Sequence, residues 1–283
     1  MDVPGRAGEW LLLLALLLPG GAARADFRLP ILNPVPKTLS IPATIDPSIL
    51  EEFSRVKDIG IEVRLSGGNL VPGRLLQVLK ERFPGNRKFF VMRGDILPRH
   101  AEQLRGLEQV EVWYHLGGKK FAARTRNQLY SLGPVRKVIV LPADFDNDLL
   151  QQALGMSFTS VAVAVGDTIP AQQLRWLGID RRRRKYLLLS PDAGRQAVYQ
   201  ASELSPVELL VPARNNRLDD KFLQLLANLR EMGITILVDG RFTIADARRL
   251  TRLENFSLKV VLQDPPQMIP GLVDLLGRLH PPR

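Results

Sequence analysis

Apolar and polar positions along this chain alternate between two periods. Short runs rich in β-branched and aliphatic side chains begin near Ile61, Phe89, Val110, Val138, Val161, Tyr186, Val207, Ile234 and Leu258. Each is only a few residues long, as a buried strand is. Between the runs the period lengthens. Phe222, Leu225, Leu226 and Leu229 fall at i, i+3, i+4 and i+7 and so share one helix face. Leu75, Leu76, Val78 and Leu79 repeat the pattern, as do Leu149, Leu150, Ala153 and Leu154. The runs recur about every 25 residues, which predicts roughly nine tandem βα units forming a parallel sheet with right-handed crossovers. Gly94-Asp95 followed by Pro98 is echoed by Gly166-Asp167 followed by Pro170. Asp95 and Asp167 are expected to start helices, where a carboxylate accepts hydrogen bonds from free N–H groups.

Two α/β closures fit this period: a TIM-like β/α barrel, and an open α/β horseshoe of about 25-residue repeats. Side-chain register favours the barrel. With the strand starts facing the helices, the first inward layer reads Glu62, Lys88, Glu111, Lys137, Ala162, Lys185, Glu208, Thr235 and Lys259, a ring of largely alternating charge. The second reads Arg64, Phe90, Trp113, Ile139, Ala164, Leu187, Leu210, Leu237 and Val261. Such an apolar layer would be a sticky patch on a concave surface but is ordinary inside a barrel. The horseshoe would also need an Asn or Cys after each strand, which this chain does not supply regularly.

The ends divide the chain further. Residues 1–25 begin with Arg6, continue through the apolar run Trp10–Leu18 and end on Ala23-Arg24-Ala25, the layout of a cleaved signal peptide. The run is short against the roughly 20 residues that a bilayer span needs. Residues 26–47 carry Pro30, Pro34, Pro36, Pro42 and Pro47 and read as an extended lead-in, with one strand near Leu39–Ile45. Residues 48–283 then form a single repeat domain, with no later membrane span. The chain has no cysteine, which excludes disulfides and thiolate chemistry. For an exported protein this points to a bacterial envelope compartment, periplasmic or extracellular. The formal charge of +10 favours anionic partners.

In parallel α/β folds, sites form at the C-terminal ends of the strands. Asp239 directly ends an apolar run and is the best placed carboxylate. With Asp264, Asp167 and His115 it makes the catalytic candidate set, a carboxylate pair being what glycoside hydrolysis needs. Asp95, Arg214, Asn215, Arg241, Ser66 and Asn69 make the ligand-binding set. Three histidines are too few for a His-cluster zinc site, so no metal is expected. The motifs G-x-S-x-G, G-x-x-x-x-G-K-[ST] and G-x-G-x-x-G are absent, and no cofactor is expected. The run Arg181-Arg182-Arg183-Arg184-Lys185 lies in the turn before a strand, where it can grip anionic polymer or simply be solvated. No aromatic residues interleave with it, so nucleic-acid recognition has no specific signal. Two functions follow as expectations. One is a non-catalytic envelope protein that binds an anionic ligand, an anionic polymer or a partner protein through the barrel rim or basic surface. The other is a hydrolase acting on glycosides or phosphoesters through the rim aspartates. The balance favours binding.

Overall fold

The computed structural model describes residues 35–279 apart from 192, 230 and 231. The expected signal peptide lies outside the described residues. The chain runs β1 (Lys37–Pro42), α1 (Pro47–Glu52), β2 (Ile59–Arg64), α2 (Gly73–Glu81), β3 (Lys88–Arg93), α3 (Pro98–Arg105), β4 (Val110–His115) and α4 (Ala123–Ser131). It continues through β5 (Arg136–Leu141), α5 (Asn147–Leu154), β6 (Thr159–Val165), α6 (Ala171–Ile179), β7 (Lys185–Leu189) and α7 (Arg195–Ser202). Then follow β8 (Val207–Pro212), α8 (Asp220–Ala227), β9 (Gly233–Asp239), α9 (Ile244–Leu250), β10 (Ser257–Val261) and α10 (Leu272–Arg278). Every strand is parallel to its neighbours, and β10 pairs with β1 to close a TIM-like β/α barrel, so the horseshoe alternative falls. The tenth strand is β1, drawn from the proline-rich segment, where Pro36 precedes the strand and Pro42 ends it, positions that cost no ladder bond.

Strand number and stagger set the bore. Following the paired residues once around the wall returns to β1 displaced by ten positions. Shear therefore equals strand number, as in the eight-stranded barrel, and the strand tilt is the same, about 36°. Two extra strands at that tilt widen the barrel by about a quarter. The stagger accrues in pairs: Lys37 lies opposite Ile59, but Ile61 lies opposite Lys88, and the same two-residue step follows β4, β6, β8 and β10. The structural repeat is thus two βα units, five times over.

This repeat corrects the expected inner ring. Even-numbered strands keep the predicted phase, with Glu62, Trp113, Ala162, Leu210 and Lys259 inward. So does β9, with Thr235 and Leu237 inward, but β3, β5 and β7 are shifted by one residue. Phe89, Val91, Val138, Val140, Tyr186 and Leu188 line the lumen, while Phe90, Ile139 and Leu187 pack outward against the helices. Lys88, Lys137 and Lys185 also point outward, and each is buried. Lys88 Nζ donates to the Pro84 and Asn86 carbonyls at 2.9 Å and to that of Glu108 at 3.3 Å. Lys137 Nζ donates to Gly133 and Val135 at 2.8 Å, from the same offsets, and Lys185 Nζ donates to Asp180 and Arg183. Each ammonium collects orphan carbonyls of the turn after a helix, where the helix dipole also favours a cation. Burial lowers all three pKa values.

Helices hold the loops above the barrel by reaching back one unit. Gln103 of α3 accepts from Val71 N at 3.1 Å and donates to Val71 O at 2.9 Å. Gln200 of α7 clamps Ile169 in the same way, at 2.7 and 3.0 Å. His100, also buried, accepts at Nδ1 from Leu97 N, which leaves Nε2–H to donate to Asn69 O, both at 2.9 Å. These bonds fix the C-terminal rim without using its exposed groups.

Candidate functional site

The lumen divides into two chemically distinct ends. The lower, N-terminal half is polar and mutually satisfied. Glu62 accepts from Ser40 Oγ at 2.7 Å and pairs with Lys259. Glu111 accepts from Trp113 Nε1 at 2.7 Å, and Glu208 accepts from Thr235 Oγ1 at 2.7 Å and Arg184 Nη1 at 3.3 Å. Trp113 meets Tyr186 edge-on with centroids 4.8 Å apart, and Lys259 Nζ sits 5.6 Å from the Trp113 ring. Desolvation, with Glu111 and Glu208 nearby, pushes the Tyr186 hydroxyl up to about 12. A cavity of about 100 Å³ remains among these groups. At Gly60, beside Phe89 and Thr38 of its lining, a Cβ would stand 3.0 Å from the Phe89 ring.

The upper, C-terminal mouth is open. Ala164 faces the lumen near the top of β6 and is nevertheless exposed. On three adjacent strands, Arg64 (β2), Arg93 (β3) and His115 (β4) end the inward rows begun by Glu62, Phe89 and Glu111, with Arg93 directly opposite His115. Arg64 donates to the Leu262 carbonyl across β1. Arg93 has no ion-pair partner among the described residues. Desolvation first, and then the charge of Arg93, lowers the His115 pKa to about 4 against a small opposing pull from Glu62. The imidazole is therefore neutral at pH 7.

That depression has a measurable consequence. The unfolded chain binds the His115 proton below about pH 6.5, while the folded chain resists it down to about 4. Stability is fully present above pH 6.5 and falls as pH drops through this window, by about 2–3 kcal/mol. Guanidinium denaturation between pH 7.5 and 4 should show this limb, and His115→Gln should flatten it.

The rim aspartates are placed differently from expectation. Asp239 ends β9, and Asp264 follows the adjacent β10. Asp167 lies three strands from β9, and His115 lies on the opposite wall. Asp239 Oδ1 accepts from Asn216 Nδ2 at 2.6 Å and Arg241 N at 2.8 Å, and Oδ2 takes Arg241 Nη2 at 2.7 Å. Burial would raise its pKa, but the Arg241 and Asn216 bonds outweigh it and hold the carboxyl below its ordinary value. Gly240 beside it is obligatory, since a Cβ would lie 2.0 Å from the Gln267 carbonyl oxygen. Asp264 accepts from Thr44 Oγ1. Asp95 and Asp167 do not start helices as expected. The N-cap positions fall instead on Leu97, which is followed by Pro98 at the first helical position where a missing N–H costs nothing, and on Pro170. Asp95 pairs instead with Arg124 at 2.9 Å and accepts from Gln128, while Asp167 is exposed.

Ser66 and Asn69 share the turn after β2, with Asn69 N donating to Ser66 O at 3.4 Å. Arg214 and Asn215 lie in the turn after β8, where Asn215 and Asn216 both take left-handed φ, which asparagine tolerates. Arg64, Arg93 and Asn216 stand at the candidate site although they belonged to neither expected set of site residues. The signal for the arginines was their place in the last inward row. Among the described residues, no three His, Cys, Asp or Glu side chains group to hold a metal ion, and no helix is long and apolar enough to cross a membrane.

Compared with known proteins, the chain matches no protein-family model and no curated protein sequence.

Proposed function

We propose that this is an exported binding protein of the bacterial envelope whose C-terminal barrel mouth takes a small anionic ligand. The observation that carries the reading is the cluster of Arg64, Arg93 and His115 on three adjacent strands, facing one open lumen. Arg93 is charged without a carboxylate beside it, which suits a ligand's carboxylate or phosphate in bidentate contact. His115, neutral when the mouth is empty, adds one N–H donor, and an arriving anion would raise its pKa toward protonation. The aspartates that a hydrolase would use support binding instead. Asp239 stays ionised and tied to Asn216 and Arg241, a poor general acid.

Following the His115 ring protons by NMR during titration with inorganic phosphate or citrate tests this. Saturable shifts are expected, and Arg93→Ser should weaken the affinity about tenfold or more, the cost of one charge-assisted pair. Absence of saturation with either anion counts against the reading. Turnover of a nitrophenyl glycoside or phosphate that Asp239→Asn abolishes would replace it with the hydrolase.

A further inference from the structure

At the other end of the barrel, the turns entering β5, β6 and β7 combine exposed apolar side chains with unneutralised arginines. Two adjoining depressions of about 510 and 540 Å³ share Arg183. Arg136 and Phe158 line the first, and Ile179, Arg181 and Arg182 line the second. Phe158 is 62% exposed and Ile179 is 68% exposed. Asp180 is the single acidic residue of the run from 179 to 185, and it is occupied locally. It accepts from Arg182 N at 3.0 Å and Arg183 N at 3.2 Å and pairs with Arg183 Nε at 3.5 Å. Among the described residues, the guanidinium groups of Arg136, Arg181 and Arg182 have no carboxylate partner.

Phe158 is also the wrong residue for its backbone. Its φ is 57°, and the residues at the same station before β2 and β4, Asp58 and Gln109, have φ of 54° and 52°. The fold therefore demands a left-handed residue there, which small or polar side chains tolerate best and a bulky aromatic tolerates poorly. An aromatic that is both strained and exposed gains nothing from the folded monomer. Its presence makes sense where the ring leaves water on contact with something else.

We propose that this face docks the barrel on an anionic lipid surface, with the arginines at the headgroups and Phe158 and Ile179 inserted at the acyl boundary. Charge complementarity selects an anionic partner, and the apolar pair selects a membrane over a soluble polymer. A polyanion would engage only the arginines, whereas a charged interface with hydrocarbon beneath it engages both kinds of side chain. Single-stranded nucleic acid would need several stacking aromatics, and this face offers Phe158 alone for that role. The surface lies at the opposite end of the barrel from the anion-binding mouth and is independent of it.

The test is co-sedimentation of the folded protein with vesicles of equimolar phosphatidylglycerol and phosphatidylcholine, against phosphatidylcholine alone. Binding is expected only to the anionic vesicles and should weaken with salt. Arg181→Ser with Arg182→Ser should reduce partitioning about tenfold or more, since each interfacial arginine contributes about fivefold. Phe158→Gly separates docking from folding: it relieves the positive φ, so thermal stability should hold or rise while vesicle binding falls several-fold. Equal binding to neutral vesicles, or no binding to either, overturns the proposal. So does tight capture by soluble heparin with vesicle binding that Phe158→Gly leaves unchanged, which would make the face a polyanion surface.

Discussion

Replacing Glu62 with alanine is expected to lower the unfolding free energy by about 3–5 kcal/mol, the cost of leaving one member of a buried ion pair alone. Glu62 and Lys259 side chains are 6% and 13% exposed, so water screens neither well. In the variant, Ser40 Oγ loses its acceptor and the Lys259 ammonium keeps only the Trp113 face. A Glu62→Leu, Lys259→Met double variant should regain most of the loss, because an apolar pair of similar volume carries no desolvation cost. Guanidinium unfolding reads both. A shift below about 1 kcal/mol for Glu62→Ala would mean that water reaches this end of the lumen freely.

Lys88→Met is expected to cost about 2–4 kcal/mol, although methionine keeps the stem and removes a buried charge. The lysine is 1% exposed and satisfies three carbonyls of two neighbouring turns. Methionine leaves those oxygens facing a thioether that cannot donate. Denaturant midpoints should fall with an unchanged slope, since the same surface is exposed on unfolding. If Lys88→Met proves neutral, the turn carbonyls have turned to solvent and the ammonium is not what holds the α2–β3 connection.

These lysines also mark where the sequence stopped being readable by pattern alone. The barrel was legible because periods of 2 and 3.6 alternate without interruption and because a two-sided apolar wall must close on itself. β1 was nearly hidden by its prolines, yet Leu39 and Ile41 carry the outward apolar face like any other strand. Inner against outer failed in β3, β5 and β7, where the first outward residue is the lysine rather than the apolar residue after it. A long aliphatic stem ending in an ammonium suits either a charged ring or a carbonyl cluster, and hydropathy does not separate them. Recurrence does: Lys37, Lys88, Lys137 and Lys185 fall at intervals of two units. At the mouth, sequence order found the rim but weighted its aspartates. Asp239 looked free until Asn216, arriving from another turn, was seen to hold it. Arg64 already stood in the expected inner layer, but Arg93 looked like a strand end until the shifted register of β3 turned it into the same lumen.

The two-residue step after every second strand carries a geometric corollary. A module of two βα units brings its own two strands and its own two units of shear, so any whole number of modules closes with one tilt. Only the bore changes. Four such modules would give eight strands and shear eight, with a lumen too narrow for more than side chains. The fifth module opens the interior, whose wall carries small residues such as Ala162 and Ala164 on β6, two strands from Trp113 and His115 on β4. Pore size in this architecture is thus set by copy number, a digital quantity, while each module remains free to vary which side chains it presents.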